Sequence, residues 1–266
     1  MDIVVCVKQV MDADTPPSGF RIDARANDVV STSGLPPVIN GFDEQAVEAA
    51  LRLKEAHGGT ITVLTLGKDL ALDVIRKPLS MGADELVVVW DAAFEGGDSY
   101  STAHGLAAAI RKIGTYDLIL CGRQASDGDA GQVGPGIAEL LGMPCVTFAK
   151  SITATDATVR IERAIPDRYE VVEAPMPCVI TVSNELGAAR YPTLRGVMAA
   201  RRKQPVTWNA EALGIDPSTV GAAGARTKVL RLFLPERGGE CELVAGDTPE
   251  QAGKRLAMKL REAKVI

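Results

Sequence analysis

Several residue types that mark common protein classes are scarce in this chain of 266 residues. Aromatic residues make up 4%, and the two histidines, His57 and His104, lie far apart in the sequence. The five cysteines are scattered and contain no Cys-x-x-Cys pair. We therefore expect no disulfide framework, no structural zinc site and no histidine-based metal chemistry, and we assign no catalytic or metal-binding residue.

An excess of positive charge and long apolar segments are also lacking. The chain has 29 Lys and Arg residues against 34 Asp and Glu residues, a formal net charge of −5. Because nucleic acids and anionic membranes attract basic surfaces, we expect neither nucleic-acid binding nor membrane insertion. The sequence starts on a short apolar segment without the basic residues that precede a signal-peptide core. These features predict a cytoplasmic protein.

Short apolar runs alternate with helical patterns in the first two thirds of the chain. The first four of the five runs are rich in Val, Ile and Leu without polar alternation, which is typical of strands buried on both faces of a sheet. The five runs lie at residues 2–8, 60–67, 85–91, 116–122 and 178–183, with helical patterns at 43–59, 68–83 and 101–114. This order predicts an α/β fold with a Rossmann-like parallel sheet and flanking helices.

The pattern changes after about residue 147. Residues 155–175 predict a β-hairpin extension with a turn at 165–168, and a short helix is expected near 193–203. We place the main α/β domain at residues 1–205.

The residues after 205 look different again. Thr248, Pro249 and Gln251 predict the start of a final helix, by a capping box with proline at the first helical position. The remainder of this region is too poor in apolar pattern to form its own core. We expect residues 206–266 to be a C-terminal arm that packs on another surface.

Residues 121–138 form the most unusual segment, because they contain five glycines between a predicted strand and a predicted helix. Open parallel sheets bind ligands at the carboxyl ends of their strands, where residues 6–8 and 40–44 are also expected. Glycines allow close backbone approach and a helix start offers free N–H groups, so the segment suits phosphate oxygens. We attribute Gly131 and Gly134 to this approach, and expect Gly134→Val to lose a ligand bound through its phosphate while the sheet stays folded.

Other interpretations of this segment stay open. Asp127 and Asp129 argue against a bare anion site unless they point away; they would otherwise bind a ribose or adenine donor, cap loop amides, or form an acid–base pair. The segment is neither G-x-G-x-x-G nor a P-loop, so a glycine-rich turn without a ligand is an alternative. Cys121 has no neighbouring histidine and is expected to be simply buried.

Six motifs in order along the chain resemble the β subunit of electron transfer flavoprotein, closest to its FAD-containing, electron-bifurcating branch. They are V-x-V-K-Q-V at 5–10, N-G-F-D-E at 40–44, L-S-M-G-A-D at 79–84, G-R-Q-A-S-D-G-D-A-G-Q-V-G-P at 122–135, E-A-P-M-P-C-V-I-T-V at 173–182 and R-Y-P-T-L-R-G-V-M-A-A at 190–200.

This resemblance implies a heterodimer with an electron transfer flavoprotein α subunit that holds most of a redox-active FAD. Residues 1–205 would be the nucleotide-binding domain and 206–266 the arm that contacts the α subunit. Electrons would come from an acyl-CoA dehydrogenase or a similar flavoprotein, or from NADH, so the chain would be an electron-carrier subunit rather than a stand-alone enzyme.

The resemblance also implies an adenine nucleotide, either a second FAD or AMP, bound in this subunit. Carried over position by position, its contacts would be Cys6, Asn40, Gly41, Phe42, Asp43, Leu66, Gly122, Asp127, Gly128, Asp129, Ala130, Gly131, Gln132, Val133, Gly134, Pro135, Gly136, Ile137 and Ala138. The loop is similar to the Asp-Gly-Asp-x-x-Gln-Val-Gly-Pro of the FAD-containing branch. It departs from that branch at Ala130, where threonine is frequent, and at Gly41, where proline is frequent.

The family's recognition loop corresponds to residues 184–203. The resemblance implies that Tyr191, Leu194, Val197 and Met198 bind the partner dehydrogenase, with Leu194 inserted into an apolar pocket. The alternative is that Leu194 packs beneath its own helix. A stand-alone nucleotide-binding enzyme of the ATP-cleaving α/β type, or a regulatory module, is the alternative function, although residues 8–12 do not resemble the pyrophosphate loop of such enzymes.

Overall fold

The computed structural model describes residues 1–16, 19–23, 28–31, 36–234 and 241–266. The chain divides into two compact units, Met1–Arg231 and Leu232–Ile266. In the described part of the chain, no helix is both long and apolar enough to cross a membrane.

The strands of the first unit follow the apolar runs of the sequence. In chain order they are β1 (Ile3–Cys6), β2 (Gln9–Met11), β3 (Phe20–Asp23), β4 (Asp28–Ser31), β5 (Pro37–Ile39), β6 (Ile61–Leu66), β7 (Glu85–Val89), β8 (Leu118–Gly122), β9 (Cys145–Ala154), β10 (Thr158–Ile165), β11 (Arg168–Pro175), β12 (Cys178–Val182) and β13 (Val206–Trp208).

The helices connect these strands and flank the sheet. They are α1 (Gly41–His57), α2 (Leu72–Ile75), α3 (Lys77–Met81), α4 (Ser99–Ile113), α5 (Val133–Leu141), α6 (Leu194–Arg202), α7 (Ala210–Leu213), α8 (Gly221–Gly224) and, in the second unit, α9 (Pro249–Glu262).

One large sheet contains most of the strands, in the order β11-β10-β9-β12-β8-β1-β6-β7-β13. In this spatial order, every pair of neighbouring strands from β9 through β12, β8, β1, β6 and β7 to β13 is parallel. In contrast, β10 pairs antiparallel with both β9 and β11. The predicted α/β fold and the hairpin extension are therefore confirmed. Two small antiparallel pairs, β2 with β5 and β3 with β4, lie outside this sheet.

Side-chain alternation along the central strand β1 builds two hydrophobic cores. Ile3 and Val5 belong to one core, together with residues of α1, α3 and α6. Val4 and Cys6 belong to the other, together with residues of α4, α5 and α7. Since both faces of the sheet are covered by helices, the strands have no polar face to show in the sequence.

The structure differs from the expected elements in two places. The helical pattern at 68–83 is divided into α2 and α3, with Pro78 in the first turn of α3; because proline lacks an N–H, it cannot continue the backbone hydrogen bonds of α2. The compact unit also extends beyond residue 205, because β13 pairs with β7 at the sheet edge. This three-residue strand is too short to show a period.

The second unit contains α9, whose N-terminus is capped as expected. The Thr248 hydroxyl accepts a hydrogen bond from the Gln251 N–H at 3.3 Å. None of the described residues from 232 to 266 is buried. This unit therefore has no core within its described residues.

Candidate functional site

The order of strands reverses between β1 and β8. The chain leaves β1 towards β6 and β7 on one side and later returns to β8 on the other. In parallel sheets such a switch point opens a crevice at the carboxyl ends of the two strands. The residues that follow β1 and β8, and the start of α1, meet at this crevice.

Asn40 joins the three segments. Its backbone N–H donates to the Lys8 carbonyl at 2.9 Å. Its side-chain amide donates to the Gln124 carbonyl at 2.8 Å and accepts from the Ser126 N–H at 3.2 Å. Asn40 is 1% exposed, so its polar groups depend on protein partners such as these. The glycine-rich loop is thereby fixed to the start of α1.

Asp43 holds the ends of β1 and β8 from the first turn of α1. Its carboxylate accepts from the Lys8 N–H at 2.7 Å and from the Gly122 N–H at 3.0 Å. Burial raises the pKa of Asp43 to about 7, against the opposing effect of these N–H donors, Asn40 and the Lys8 charge. Any Cβ at Gly122 would lie 2.2 Å from Asp43 Oδ1, which explains the glycine there.

The two loop carboxylates have protein partners. Lys8 Nζ forms an ion pair with Asp127 at 2.5 Å, and Gln124 Nε2 donates to Asp129 at 2.9 Å. Asp127 therefore has a cationic partner and Asp129 has a hydrogen-bond donor, an arrangement that does not favour an acid–base pair and that reduces the repulsion of a bound anion. At the end of this loop α5 begins at Val133, and the side chain of its N-cap residue Gln132 makes no capping hydrogen bond.

The glycines of the loop have different structural reasons. Gly131 has φ +62° and so needs a left-handed backbone. Gly134 instead lies within α5 against the sheet, where an added Cβ would be 2.6 Å from Thr181 Cγ2. The side chains of Ile137 and Ala138 are also buried in the core. Close helix–sheet packing, rather than phosphate approach, accounts for Gly134.

We expect Gly134→Val to lower the stability of the fold, contrary to the expectation from sequence. Overpacking α5 against buried Thr181 should cost about 1–3 kcal/mol of unfolding free energy, measured by chemical denaturation. Gly128→Val is the matched control, because an added Cβ there has no atom within 4 Å. Equal stability of the two variants would contradict this explanation.

The remaining predicted nucleotide residues lie around the crevice or in the core beside it. Cys6 and Cys121 are buried neighbours on β1 and β8. Their mutual hydrogen bond, together with burial, holds the pKa of Cys121 well above its usual range, so a neutral, structural thiol is favoured. Leu66 is half-buried at the carboxyl end of β6. Gly128, Asp129, Ala130, Gly131 and Gln132 are exposed, while Gly41 and Phe42 open α1.

The predicted partner-binding residues lie on α6 and the segment before it. Tyr191 is 93% exposed, Leu194 79% and Met198 55%, while Val197 is half-buried. The Thr193 hydroxyl caps the helix by accepting from the Gly196 N–H at 3.0 Å. Leu194 therefore does not pack beneath its helix.

An ion-pair network fixes the start of this segment to α1. The Arg190 guanidinium donates to Glu48 at 2.8 and 3.2 Å and also pairs with Glu55. Glu48 is buried, and Arg52 donates to it as well. Burial acts to raise the pKa of Glu48, but the hydrogen bonds from Arg190 and Arg52 outweigh it and lower the pKa.

Sequence reasoning placed residues 6–8 and 121–138 at this edge of the sheet but did not predict the side-chain contacts that build the crevice. Lys8 and Gln124 hold the loop carboxylates, and Arg123 lies over the rings of Phe42 and Phe148, at 5.9 and 5.0 Å from their centres. The position of Lys8 directly after the first strand was a usable signal. The contact with Phe148 had none, since it joins distant segments.

Comparison with known proteins agrees with the resemblance seen in the motifs. The electron transfer flavoprotein domain matches residues 28–213. The chain is 39% identical over 268 residues to the caffeyl-CoA reductase-Etf complex subunit CarD of Acetobacterium woodii, with 100% of both chains covered. It is 40% identical over 260 residues to the electron transfer flavoprotein subunit beta of Megasphaera elsdenii, covering 95% of this chain and 94% of that protein. It is also 38% identical over 248 residues to protein FixA of Azorhizobium caulinodans, covering 90% and 86%. These matches confirm the family prediction: the chain belongs to the electron transfer flavoprotein family, as a β-type subunit.

Proposed function

We propose that this protein is the β subunit of a heterodimeric electron transfer flavoprotein. It would carry electrons from an acyl-CoA dehydrogenase or NADH to a downstream acceptor, through FAD held with an α subunit. The observation that carries the proposal is the crevice between β1 and β8, where Asn40 fixes the glycine-rich loop. This crevice occurs in a chain that belongs to the electron transfer flavoprotein family.

The crevice suits an adenine nucleotide. The loop carboxylates are held by Lys8 and Gln124, and no side chain caps the start of α5, whose first N–H groups lack intrahelical partners. The residues that would hold the nucleotide are the exposed loop at 127–132, which Asn40 fixes in place. When bound, a flavin supplies the electron-transfer chemistry itself, and the protein positions it. We propose a second FAD rather than AMP, because the loop that contains Asp127 and Asp129 resembles the loop of the FAD-containing branch.

The C-terminal region suits a partner-binding role. None of its described residues after 231 is buried, and Leu243 and Met258 are 89% and 55% exposed. Apolar side chains left in water favour association with another protein surface. We propose that residues 206–266, including this unit, contact the α subunit, and that residues 1–205 bind the nucleotide.

The test is co-expression of this chain with the α subunit, followed by absorbance spectroscopy and nucleotide counting on the purified complex. We expect a yellow heterodimer with two flavins. One flavin and one AMP per heterodimer would contradict the proposal of a second FAD, whereas the proposal that the protein is an electron carrier would still hold. A colourless chain that binds no α subunit would overturn the proposal and favour a stand-alone nucleotide-binding protein.

A further inference from the structure

A cleft of about 410 Å³ lies beside α6. Its lining comes from β5, α2, α3 and α6, and Val38, Val74 and Val197 contribute apolar surface. No part of the nucleotide site described above lines it. The cleft is therefore a separate feature of the first unit.

The charge within the cleft is predominantly positive. Arg76, Lys77 and Arg201 line it, against one carboxylate, Asp73. Lys77 is already paired with Glu44. The guanidinium of Arg76 has fewer hydrogen bonds. Its buried Nε has no hydrogen-bond partner among the described residues, and its Nη2 donates to Gln204 only at 3.5 Å. A buried N–H without a partner is costly, which favours an acceptor from outside.

The cleft is continuous with the exposed apolar side of α6. Leu194, Met198 and Arg201 follow one another at spacings of four and three residues, so they form one stripe on the helix surface. Leu194 and Met198 are exposed, while Arg201 lines the cleft. A protein that covers the two apolar residues would therefore also lie next to the cleft.

We propose that the cleft binds an acidic side chain, flanked by apolar residues, on the surface of the redox partner that docks on Leu194. The carboxylate would accept hydrogen bonds from Arg76 and Arg201, and its apolar neighbours would contact Val74 and Val197. The inference rests on the proposed function, because it extends the surface that meets the dehydrogenase.

The test measures KM and kcat for reduction of the flavin-loaded heterodimer by an acyl-CoA dehydrogenase, at low and high salt. Arg76→Glu and Arg201→Glu should each raise KM about tenfold at low salt with kcat unchanged, and the effect should shrink at high salt. Arg202→Glu is the matched control: it makes the same charge change at the next residue of α6, which does not line the cleft, and should change KM less than about twofold.

The outcomes separate this inference from the proposed function. If Arg202→Glu is as harmful as Arg201→Glu, the effect is a diffuse surface field and the cleft site is overturned. If Leu194→Ala raises KM while Arg76→Glu and Arg201→Glu leave KM unchanged, the proposal that the cleft binds an acidic side chain is wrong. The proposal that the partner docks on Leu194 would then still hold. Should Arg76→Glu fail to fold, the exposed Arg201 carries the test alone.

Discussion

Leu194→Ala is expected to weaken binding of the partner dehydrogenase by about 2 kcal/mol, roughly a thirty-fold rise in KM, because an apolar anchor in a partner's pocket is a typical binding hot spot. Leu194 is 79% exposed, so its truncation removes almost no contact within this chain. The melting temperature and the flavin content should therefore stay at the wild-type values. The measurement is steady-state reduction of the heterodimer by a fixed, catalytic amount of acyl-CoA dehydrogenase at varied heterodimer concentration.

The fixed position of Leu194 is part of this argument. The preceding segment is held by Arg190 on Glu48, and Thr193 caps α6, so the leucine is presented without a large ordering cost. Val171→Ala, on the exposed face of the hairpin, is the control and should leave KM unchanged. Equal KM values for both variants, or a lower melting temperature for Leu194→Ala alone, would show that Leu194 is not an anchor.

Much of the fold was predictable because the buried strands and amphipathic helices leave strong local patterns. The apolar runs at β1, β6, β7 and β8 have no polar alternation, which is typical of a parallel sheet covered on both faces. β9 was missed because its polar and apolar residues are mixed, with several side chains half-buried. The short β13 was missed because it is defined only by its partner, β7.

The candidate site was predictable in outline but not in its contacts. Motifs at 40–44 and 121–138 pointed to the same edge of the sheet, and Asn40 does join them. The role of Gly134 was assigned from composition. Its spatial neighbour Thr181 lies on a strand that is far from it in the sequence, so the contact between them was not predictable. The pairs Lys8–Asp127 and Arg190–Glu48 span 119 and 142 residues, so no local pattern encodes them.

Asp43→Asn should change how the stability of this protein depends on pH. In the folded chain burial raises the pKa of Asp43 from 3.8 to about 7. Between these values the folded state keeps a proton that the unfolded state has lost, so the contribution of Asp43 to stability falls as the pH rises. With about 1.4 kcal/mol per pH unit, the free energy of unfolding of wild type relative to Asp43→Asn should fall by roughly 2–3 kcal/mol between pH 5 and pH 8.

The comparison isolates Asp43 from the other carboxylates. Hydrogen bonds outweigh the opposing effect of burial and lower the pKa of Asp98 to about 2 and that of Glu48 below its usual value. Both groups are ionised throughout this pH range, and their stabilisation is lost only in more acidic solution. Asp98 and Glu48 are also present in both wild type and Asp43→Asn, so their contributions cancel in the difference between the two free energies of unfolding. Urea denaturation at pH 5, 6, 7 and 8 gives the difference directly. A constant difference would mean that the Lys8 and Gly122 N–H donors keep the carboxylate ionised at pH 5, and that the buried edge of the crevice carries a permanent negative charge.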